Sequence, residues 1–265
     1  MSNTLRRTLN RESTLIGVEN GGYTNETVSV EWADEVTVTA TKDGEIIEYN
    51  SGIELKDDGE HVIVFENFDG EKLVYKFVID TIAPELTVSG TTRGNKGKDD
   101  VSVGFIENDL IVQLYKDGEL AGDYVSVTLI TESGKYKVVA TDKAGNVSEV
   151  EFEIDKIAPT LVITGVKNGG QTSGGVTLSE LSEEATVTVK LNDETIEYGI
   201  GETLAKIGKY TVTVTDECGN ESVYEFEILK AKKPVNIGLI IAFVFSMMVA
   251  VGAATFLIIK KKREG

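Results

Sequence analysis

The sequence predicts an all-β protein: three tandem β-sandwiches of about 75 residues each, followed by one transmembrane α-helix. A segment that begins at Gly134 recurs at Gly208 and, more loosely, at Gly59. The chain therefore contains an internal repeat with three copies. Within each copy apolar residues alternate with polar ones, which is the two-residue period of a β-strand. After the third copy an uncharged run extends from 237 to 259.

Prolines mark the ends of the copies. Pro84, Pro159 and Pro234 are the only prolines in the chain, and they are evenly spaced along it. Proline fixes its own φ and restricts the residue before it, which suits a short connection between two folded units. We therefore divide the chain into a polar, basic N-terminal segment that is disordered or a truncated remnant, three repeats, a transmembrane helix and a short basic tail: 1–13, 14–84, 85–159, 160–234, 235–259 and 260–265.

Each copy contains a predicted β-hairpin. In the second copy Tyr136, Val138 and Ala140 alternate with polar residues and are followed by a turn at 142–146 that contains Gly and Asn. A second alternating segment, at 147–154, completes the hairpin. The other two copies show the same register, so we predict the hairpin in all three.

The remainder of each repeat supplies further short strands. Asn-Gly-Gly at 20–22 and 168–170 and Lys-Asp-Gly at 42–44 and 116–118 are turn signals between alternating segments. Six or seven short strands per repeat, separated by such turns, are typical of a β-sandwich.

Composition excludes several classes of function. The formal net charge of −18 argues against a nucleic-acid partner, because binding a duplex needs a basic face that displaces counterions. The one cysteine, Cys218, rules out a disulfide within the chain and lies at a turn position occupied by Ala144 in the second repeat.

Two motifs carry a resemblance to a known family. Gly-x-Tyr at 134–136 and 208–210 resembles the tyrosine corner of immunoglobulin-like (Ig-like) sandwiches. The string T-D-x-x-G-N-x-S, followed by an alternating strand and I-D-x-x-A-P, resembles the tandem bacterial Ig-like repeats of cell-surface proteins. The resemblance covers about residues 14 to 234, and it implies that Tyr136 and Tyr210 bond to nearby backbone. The first repeat has His61 at the tyrosine position, so we expect it to be the least regular.

We predict that the chain is not an enzyme and holds no cofactor. One histidine and one cysteine, His61 and Cys218, lie in different repeats and offer almost no material for nucleophilic catalysis or for zinc. Adjacent carboxylates such as Glu183-Glu184 point apart on a strand or loop, which indicates a solvated acidic surface. No Gly-rich loop ends in Gly-Lys-Ser/Thr.

A bound calcium ion is the alternative to the prediction that the chain holds no cofactor. Asp80, Asp142, Asn146 and Asp155 fall at turns and junctions, where hard oxygen ligands from adjoining repeats can stiffen a tandem array. The dense D-x-[DN]-x-[DN]-G pattern is absent, and turn-forming Asp and Asn account for the same letters without a metal.

The uncharged run at 237–259 predicts a transmembrane helix, with the lipid bilayer as a partner. At about 1.5 Å per residue it would be roughly 34 Å long, enough to cross the hydrocarbon core. A basic cluster follows the run and favours a cytoplasmic C-terminus with extracellular repeats. Three lysines precede the run, so the two flanks differ by only one basic residue. The cluster consists of Lys260, Lys261, Lys262 and Arg263.

Small residues line one stripe of this predicted helix. Every fourth position is Gly, Ala or Ser, a spacing that lets two membrane helices approach closely and predicts a homodimer. The stripe consists of Gly238, Ala242, Ser246, Ala250 and Ala254.

The segment 1–13 lacks the apolar run of a secretory signal. Either the chain is the C-terminal anchor portion of a larger surface enzyme or adhesin, or it is tail-anchored with its repeats facing the cytosol. The first alternative agrees with the resemblance. No Leu-Pro-x-Thr-Gly precedes the apolar run, which favours a span that is retained as the anchor.

The function these observations favour is that of a membrane-anchored bacterial surface protein whose repeats act as a stalk or as an adhesion module. An adhesion module would bind a host or cell-surface protein or a glycan. An exposed aromatic or apolar patch on one repeat, unlike the other two, would favour adhesion, and the irregular first repeat is where we would expect it.

Overall fold

The computed structural model describes residues 13–33, 36–91, 95–231 and 246–249. The first sandwich contains seven strands in its described residues: β1 Ser13–Ile16, β2 Tyr23–Thr24, β3 Ser29–Trp32, β4 Thr37–Lys42, β5 Glu45–Ile47, β6 Gly59–Glu66 and β7 Lys72–Ile79. One sheet pairs β1 with β3, and the other has the order β2-β7-β6-β4-β5.

The second sandwich repeats this arrangement. Its strands are β8 Thr87–Ser89, β9 Lys96–Gly97, β10 Ser102–Gly104, β11 Ile111–Lys116, β12 Glu119–Asp123, β13 Gly134–Thr141 and β14 Val147–Ile154. The small sheet pairs β8 with β10, and the large sheet has the order β12-β11-β13-β14-β9.

The third sandwich has an additional short strand, β20, among its described residues. Its strands are β15 Leu161–Thr164, β16 Gly170–Thr172, β17 Val176–Leu181, β18 Ala185–Leu191, β19 Glu194–Ile196, β20 Thr203–Leu204, β21 Gly208–Asp216 and β22 Glu221–Ile228. The sheets have the orders β15-β17-β20 and β16-β22-β21-β18-β19.

The predicted hairpins are present as the central pairs β6–β7, β13–β14 and β21–β22. In each sandwich a short early strand pairs in parallel with the last one, as Gly97 does with Ile154. An early strand that joins the sheet of the last strand, while its neighbours form a second sheet, is the arrangement of an Ig-like sandwich. The fold is therefore all-β, with three tandem Ig-like sandwiches.

Each hairpin opens on a glycine for a conformational reason. Gly59, Gly134 and Gly208 have φ angles of 141°, 155° and 148°, which L side chains rarely adopt. A Cβ added at Gly59 would also lie 2.5 Å from a carboxylate oxygen of Asp43. The glycine that marks the internal repeat is therefore required by the backbone.

Each sandwich has its own hydrophobic core between its two sheets. In the second sandwich Val103 of the small sheet packs with Val138 and Ile154 of the large sheet, all at most 1% exposed. The inward residues alternate with exposed glutamates along β14, as the sequence predicts. Burial of these side chains, at about 25 cal/mol per Å² of apolar surface, is the main source of stability.

The chain forms two compact units. One consists of 1–158 together with 215–220, and the other of 159–214 together with 221–265. The repeat boundaries at 84, 159 and 234 remain predictions. Within the described residues no helix is both long and apolar enough to cross a bilayer. The predicted span 235–259 lies outside those residues, apart from 246–249, which are helical.

Candidate functional site: the junction turns

The hairpin turn of the second sandwich reaches back to the connection that follows the first sandwich. The Asn146 side-chain amide donates to the backbone oxygen of Asp80 at 2.7 Å and to the Asp142 carboxylate at 2.8 Å. Asn146 is only 8% exposed, so these bonds are shielded from water. The structure thus brings together Asp80, Asp142 and Asn146, three of the four residues proposed for calcium.

The same contact recurs in the turn 215–220, which belongs to the compact unit of residues 1–158. The Asn220 amide donates to the backbone oxygen of Asp155 and to the Asp216 carboxylate, both at 2.8 Å. Asp155, the fourth calcium candidate, is therefore separated from the other three and occupies the position equivalent to Asp80. Asp216 and Asn220 take the places of Asp142 and Asn146.

The turn sequence explains why the amide points this way. Asp142 closes the loop by accepting the Asn146 backbone N–H at 2.9 Å, while Gly145 takes a φ of 93°. The closed loop fixes the Asn146 backbone, and its side chain projects from the turn. A five-residue pattern, Asp-x-x-Gly-Asn, therefore specifies both the turn and the direction of its last side chain.

The residue after the aspartate adds a different contact at each turn. The Lys143 ammonium lies 5.4 Å from the ring centroid of Tyr23 and 2.7 Å from Asp109. The hydrogen bond to Asp109 raises the pKa of Lys143. At the other turn Glu217 lies 3.9 Å from Lys96, which is equivalent to Tyr23 in strand register. These pairs are exposed and contribute little individually.

Cys218 is buried within its turn at 9% exposure. Burial raises the pKa of its thiol, with Lys96 acting in the opposite direction. Lys96 itself is subject to a desolvation effect that lowers its pKa, but Glu153 and neighbouring groups outweigh it and the pKa of Lys96 is raised. A buried thiol with a raised pKa is a poor nucleophile.

The direction of the hydrogen bonds at the turn 142–146 is relevant to the predicted calcium ligands. The Asp80 carbonyl and the Asp142 carboxylate both carry oxygens that can coordinate calcium, yet both accept an N–H bond from the Asn146 amide. The Asn146 amide thus satisfies them without a cation.

The two predicted tyrosine corners have matching geometry. Tyr136 donates its hydroxyl to the Glu132 backbone oxygen at 3.0 Å, and Tyr210 donates to Lys206 at 2.9 Å. In both cases the acceptor lies four residues upstream. Burial raises the pKa of Tyr210.

The first sandwich keeps this bond with a different residue. His61 Nε2 lies 2.8 Å from the Asp57 backbone oxygen, again four residues upstream. The imidazole stacks on Phe77 at 5.4 Å, as Tyr136 stacks on Phe152 at 5.5 Å. His61 Nδ1 is buried and has no hydrogen-bond partner among the described residues. The histidine is therefore a structural substitute for the corner tyrosine.

Besides the corner residue, each sandwich has a tyrosine that bonds to its backbone and that sequence reasoning did not identify. Tyr124 accepts the Val103 backbone N–H at 2.8 Å and donates to the Thr128 backbone oxygen at 2.6 Å. Tyr49 and Tyr198 make the same pair of bonds with their own sandwiches. These three tyrosines recur with the period of the internal repeat, so the repeat itself could have identified them.

Of the small-residue stripe and the basic cluster, Ser246 alone lies in the described part of the chain. Ser246 belongs to the helical residues 246–249. The rest of the small-residue stripe and the basic cluster at 260–263 fall outside.

The chain is related in part to a known cell wall protein. No protein-family model matches the chain. The chain is similar to an outer cell wall protein of Brevibacillus brevis, with 36% identity over 77 residues, or 29% of this chain. The chain spans only 8% of that relative's length.

Several solved structures of tandem domains are similar at low identity. An I-band fragment of titin has 12% identity and a TM-score of 0.35, covering 83% of this chain and 99% of the fragment. A Ca²⁺-stabilized adhesin of an Antarctic bacterium has 17% identity and a TM-score of 0.24, covering 82% and 73%. The Ig-like fold is identified by the strand order and by the bonds from Tyr136 and Tyr210 to nearby backbone.

Proposed function

We propose that this chain is a non-enzymatic bacterial surface protein whose Ig-like repeats act as a stalk or adhesion module. The observation that carries the stalk proposal is the recurring bond from Asn146 to Asp80 and from Asn220 to Asp155. A buried hydrogen bond that ties a turn to a connecting segment restricts rotation of that segment. The Brevibacillus relative is an outer cell wall protein, which supports a location at the surface.

In this proposal residues 235–259 form a transmembrane helix that anchors the chain. The uncharged run is long enough to cross a bilayer, and the basic residues after it support a cytoplasmic C-terminus. Self-association through the small-residue stripe is part of this proposal. Leucine at Ala242, Ser246 and Ala250 should abolish a homodimer signal in a membrane two-hybrid assay, and a wild type with no signal above a monomeric control would refute the dimer.

The test of surface location is protease shaving of intact cells that carry an epitope tag at residue 1. If the repeats are extracellular, the tag is lost from intact cells while a membrane-bound fragment persists. Release of the tag only after lysis would place the repeats in the cytosol. The surface function would then be wrong, and the tail-anchored alternative would replace it.

Adhesion is the second candidate function, and one exposed residue favours it. Phe68, in the hairpin turn of the first sandwich, is 94% exposed, whereas the equivalent residues are the charged Lys143 and Glu217. An exposed aromatic side chain at a turn is suited to contact a protein or a glycan. Replacement of Phe68 by Lys, as in the second sandwich, should abolish adherence of cells that display the chain. Unchanged adherence would exclude Phe68 as the contact residue.

The chain could also anchor a larger surface enzyme or adhesin, and the same shaving experiment addresses this alternative. In cells that express the natural gene, the fragment released by protease would exceed the size of the three repeats. Mass spectrometry of that fragment would identify the additional domain.

A further inference from the structure

A tight turn directly follows the recurring tyrosine of each sandwich. The turns at 50–53, 125–128 and 199–202 each close with a hydrogen bond of 3.0–3.1 Å from the N–H of the last residue to the carbonyl of the first. The third residue of each turn has a positive φ. In the first and third sandwiches it is a glycine, Gly52 and Gly201, with φ angles of 76° and 93°. Glycine adopts such angles without a steric penalty, so these two turns follow the usual turn chemistry.

The second sandwich has a valine where the other two have glycine. Val127 takes a φ of 57°, a conformation that crowds the Cβ atom of an L residue and is an outlier for a β-branched side chain. Its side chain is 68% exposed, so the fold gains little from burying it. Residues held in such conformations occur preferentially at binding and other functional sites. Val127 therefore indicates a contact made outside the sandwich.

Val127 lies at the centre of an exposed apolar segment. Its neighbours Val125 and Leu129 are 72% and 62% exposed. The equivalent residues are Asn50, Gly52 and Glu54 in the first sandwich and Gly199, Gly201 and Thr203 in the third. Each of those two turns has one exposed isoleucine, Ile53 or Ile200, and isolated exposed apolar residues are ordinary on a protein surface. Three in succession occur in the second sandwich alone among the described turns.

Ser126 brings a fourth apolar residue beside this segment. Its hydroxyl accepts the Phe105 backbone N–H and donates to the Phe105 carbonyl, both at 3.0 Å. The next residue, Ile106, is 90% exposed and thus adjoins the turn. We call the set of Ile106, Val125, Val127 and Leu129 the aliphatic patch.

The charges beside the aliphatic patch determine what can cover it. Glu107 directly follows Ile106, and Asp123 lies two residues before Val125. Both acidic residues are exposed, and neither forms an ion pair within the described part of the chain. A second copy would bring like charges together, in a chain whose formal net charge is −18. An anionic lipid surface is disfavoured for the same reason.

A basic and aliphatic protein surface fits this arrangement. Lysine or arginine beside an apolar contact would face Glu107 and Asp123 with the opposite charge, which favours encounter and fixes the orientation. The patch contains no aromatic ring on which a sugar could stack, so a glycan is a poor match.

We propose that the aliphatic patch binds a protein whose contact surface presents aliphatic side chains flanked by lysine or arginine. Burial of exposed apolar side chains would supply the affinity, and the acidic residues would supply specificity. This contact extends the adhesion function proposed above and rests on it, and it is separate from Phe68 of the first sandwich.

A selection of random peptides tests the chemistry of the partner. A phage-displayed library of peptides about twelve residues long is selected on the purified full-length chain, with a triple variant used to remove peptides that bind elsewhere. The triple variant carries Val125→Asn, Val127→Gly and Leu129→Glu, which are the residues of the first sandwich at these positions. We expect the retained peptides to be rich in Val, Ile and Leu, to carry Lys or Arg at their ends and to be poor in Asp and Glu.

The affinity of one retained peptide, made synthetically, gives the quantitative test. It should bind the triple variant at least about tenfold more weakly than the wild type. Leu120→Thr is the matched control, because it removes an apolar side chain that is 56% exposed on the large sheet and introduces the residue of the third sandwich, Thr195. This control should leave the dissociation constant unchanged.

Val127→Gly alone separates the contact from the fold. Glycine removes the backbone strain, so hydrogen–deuterium exchange of the core strand β13 should be as slow as in the wild type or slower. The peptide should nevertheless bind about three- to tenfold more weakly. Faster exchange of β13 would show that Val127 serves the fold and would refute the proposed contact.

Three further outcomes would overturn the proposal. Retained peptides that are acidic, or that bind the wild type and the triple variant equally, would exclude the partner described. A wild type that dimerises in sedimentation velocity, with a triple variant that does not, would assign the patch to a second copy instead. All these measurements use purified protein, so their failure would leave the surface location, which protease shaving tests, unaffected.

Discussion

The Asn146 side chain and the Asp80 backbone carbonyl, 66 residues apart in sequence, are joined by a hydrogen bond of 2.7 Å. Asn220 and Asp155 repeat the relationship across 65 residues. The acceptor in both cases is a backbone carbonyl four residues before a proline, and the donor is the last residue of a tight turn. Two such contacts make the junction turn a recurring device of the chain.

Replacement of Asn146 by Ala should weaken the first junction. The change leaves the Asp80 carbonyl without its donor and costs about 1–2 kcal/mol. Limited proteolysis of the connection 80–84 should accelerate by roughly tenfold, since about 1.4 kcal/mol corresponds to a factor of ten. Asn108→Ala changes an exposed asparagine of the same sandwich and should leave the rate unchanged. Equal rates in the two variants would show that the bond does not restrain the connection.

The second set of tyrosines should be more important for stability than the corner tyrosines. Tyr124→Phe leaves both the Val103 N–H and the Thr128 carbonyl without a partner, whereas Tyr136→Phe affects only the Glu132 carbonyl. The Val103 N–H is fully buried, and an unsatisfied buried group costs about 1–3 kcal/mol, so the Tyr124 variant should lose more free energy of unfolding than the Tyr136 variant. Calorimetry of both variants tests this order, and a larger loss for Tyr136→Phe would contradict it.

Replacement of His61 by Tyr should stabilise the first sandwich. The change removes the unpartnered Nδ1 and supplies a hydroxyl that can reach the Asp57 carbonyl, as in the other two sandwiches. The expected gain is about 1 kcal/mol, measured by the urea midpoint of Trp32 fluorescence. Tyr136→His makes the reverse change and should destabilise the second sandwich. A lower midpoint for His61→Tyr would mean that the larger ring does not fit over Phe77.

The sequence predicted the strands, the turns and the tyrosine corners because these depend on local pattern. Alternation places Phe152 and Ile154 in the core, and Asp-x-x-Gly-Asn specifies a tight turn. The partner of Asn146 could not be predicted in this way, because it is a backbone carbonyl in another repeat. Every residue has a backbone carbonyl, so the side chain at that position does not indicate the bond. For the same reason, the sequence presents Asp80 and Asp142 only through their carboxylates, and carboxylates predict calcium ligands.

His61 shows a second limit. A histidine at a corner position suggested an irregular repeat, yet its Nε2 makes the same four-residue bond as the tyrosine hydroxyl. The side chain differs between His61 and the corner tyrosines, but the hydrogen bond is the same. Only the structure shows this equivalence. The trio that includes Tyr124 was, in contrast, accessible from its recurrence at equivalent positions of the three repeats.

Calcium removal tests the metal candidates Asp80, Asp142, Asn146 and Asp155. The Asn146 amide already donates to the Asp80 and Asp142 oxygens, so we expect chelation with EDTA to leave the melting temperature unchanged. An increase on adding millimolar calcium, which is the affinity range of extracellular modules, would overturn this expectation. Asp142→Asn would then identify the first junction as the site if it abolished the increase.

Alkaline pH should destabilise the sandwiches through the buried tyrosines. Burial raises the pKa of Tyr49, Tyr124 and Tyr210 above the usual value of 10.0, and the backbone N–H groups of Val30 and Val103 oppose the shift at Tyr49 and Tyr124. Because the folded-state pKa is raised, the stability these groups contribute is fully present below the unfolded value. It is lost as the pH rises through the higher folded value.

The measurement is the free energy of unfolding from pH 8 upward, followed together with tyrosinate absorbance. We expect a plateau up to about pH 10 and a decline above it. Tyr124→Phe should make the decline less steep, because phenylalanine has no proton to lose. A stability that rises above pH 10 would contradict the direction of these pKa shifts.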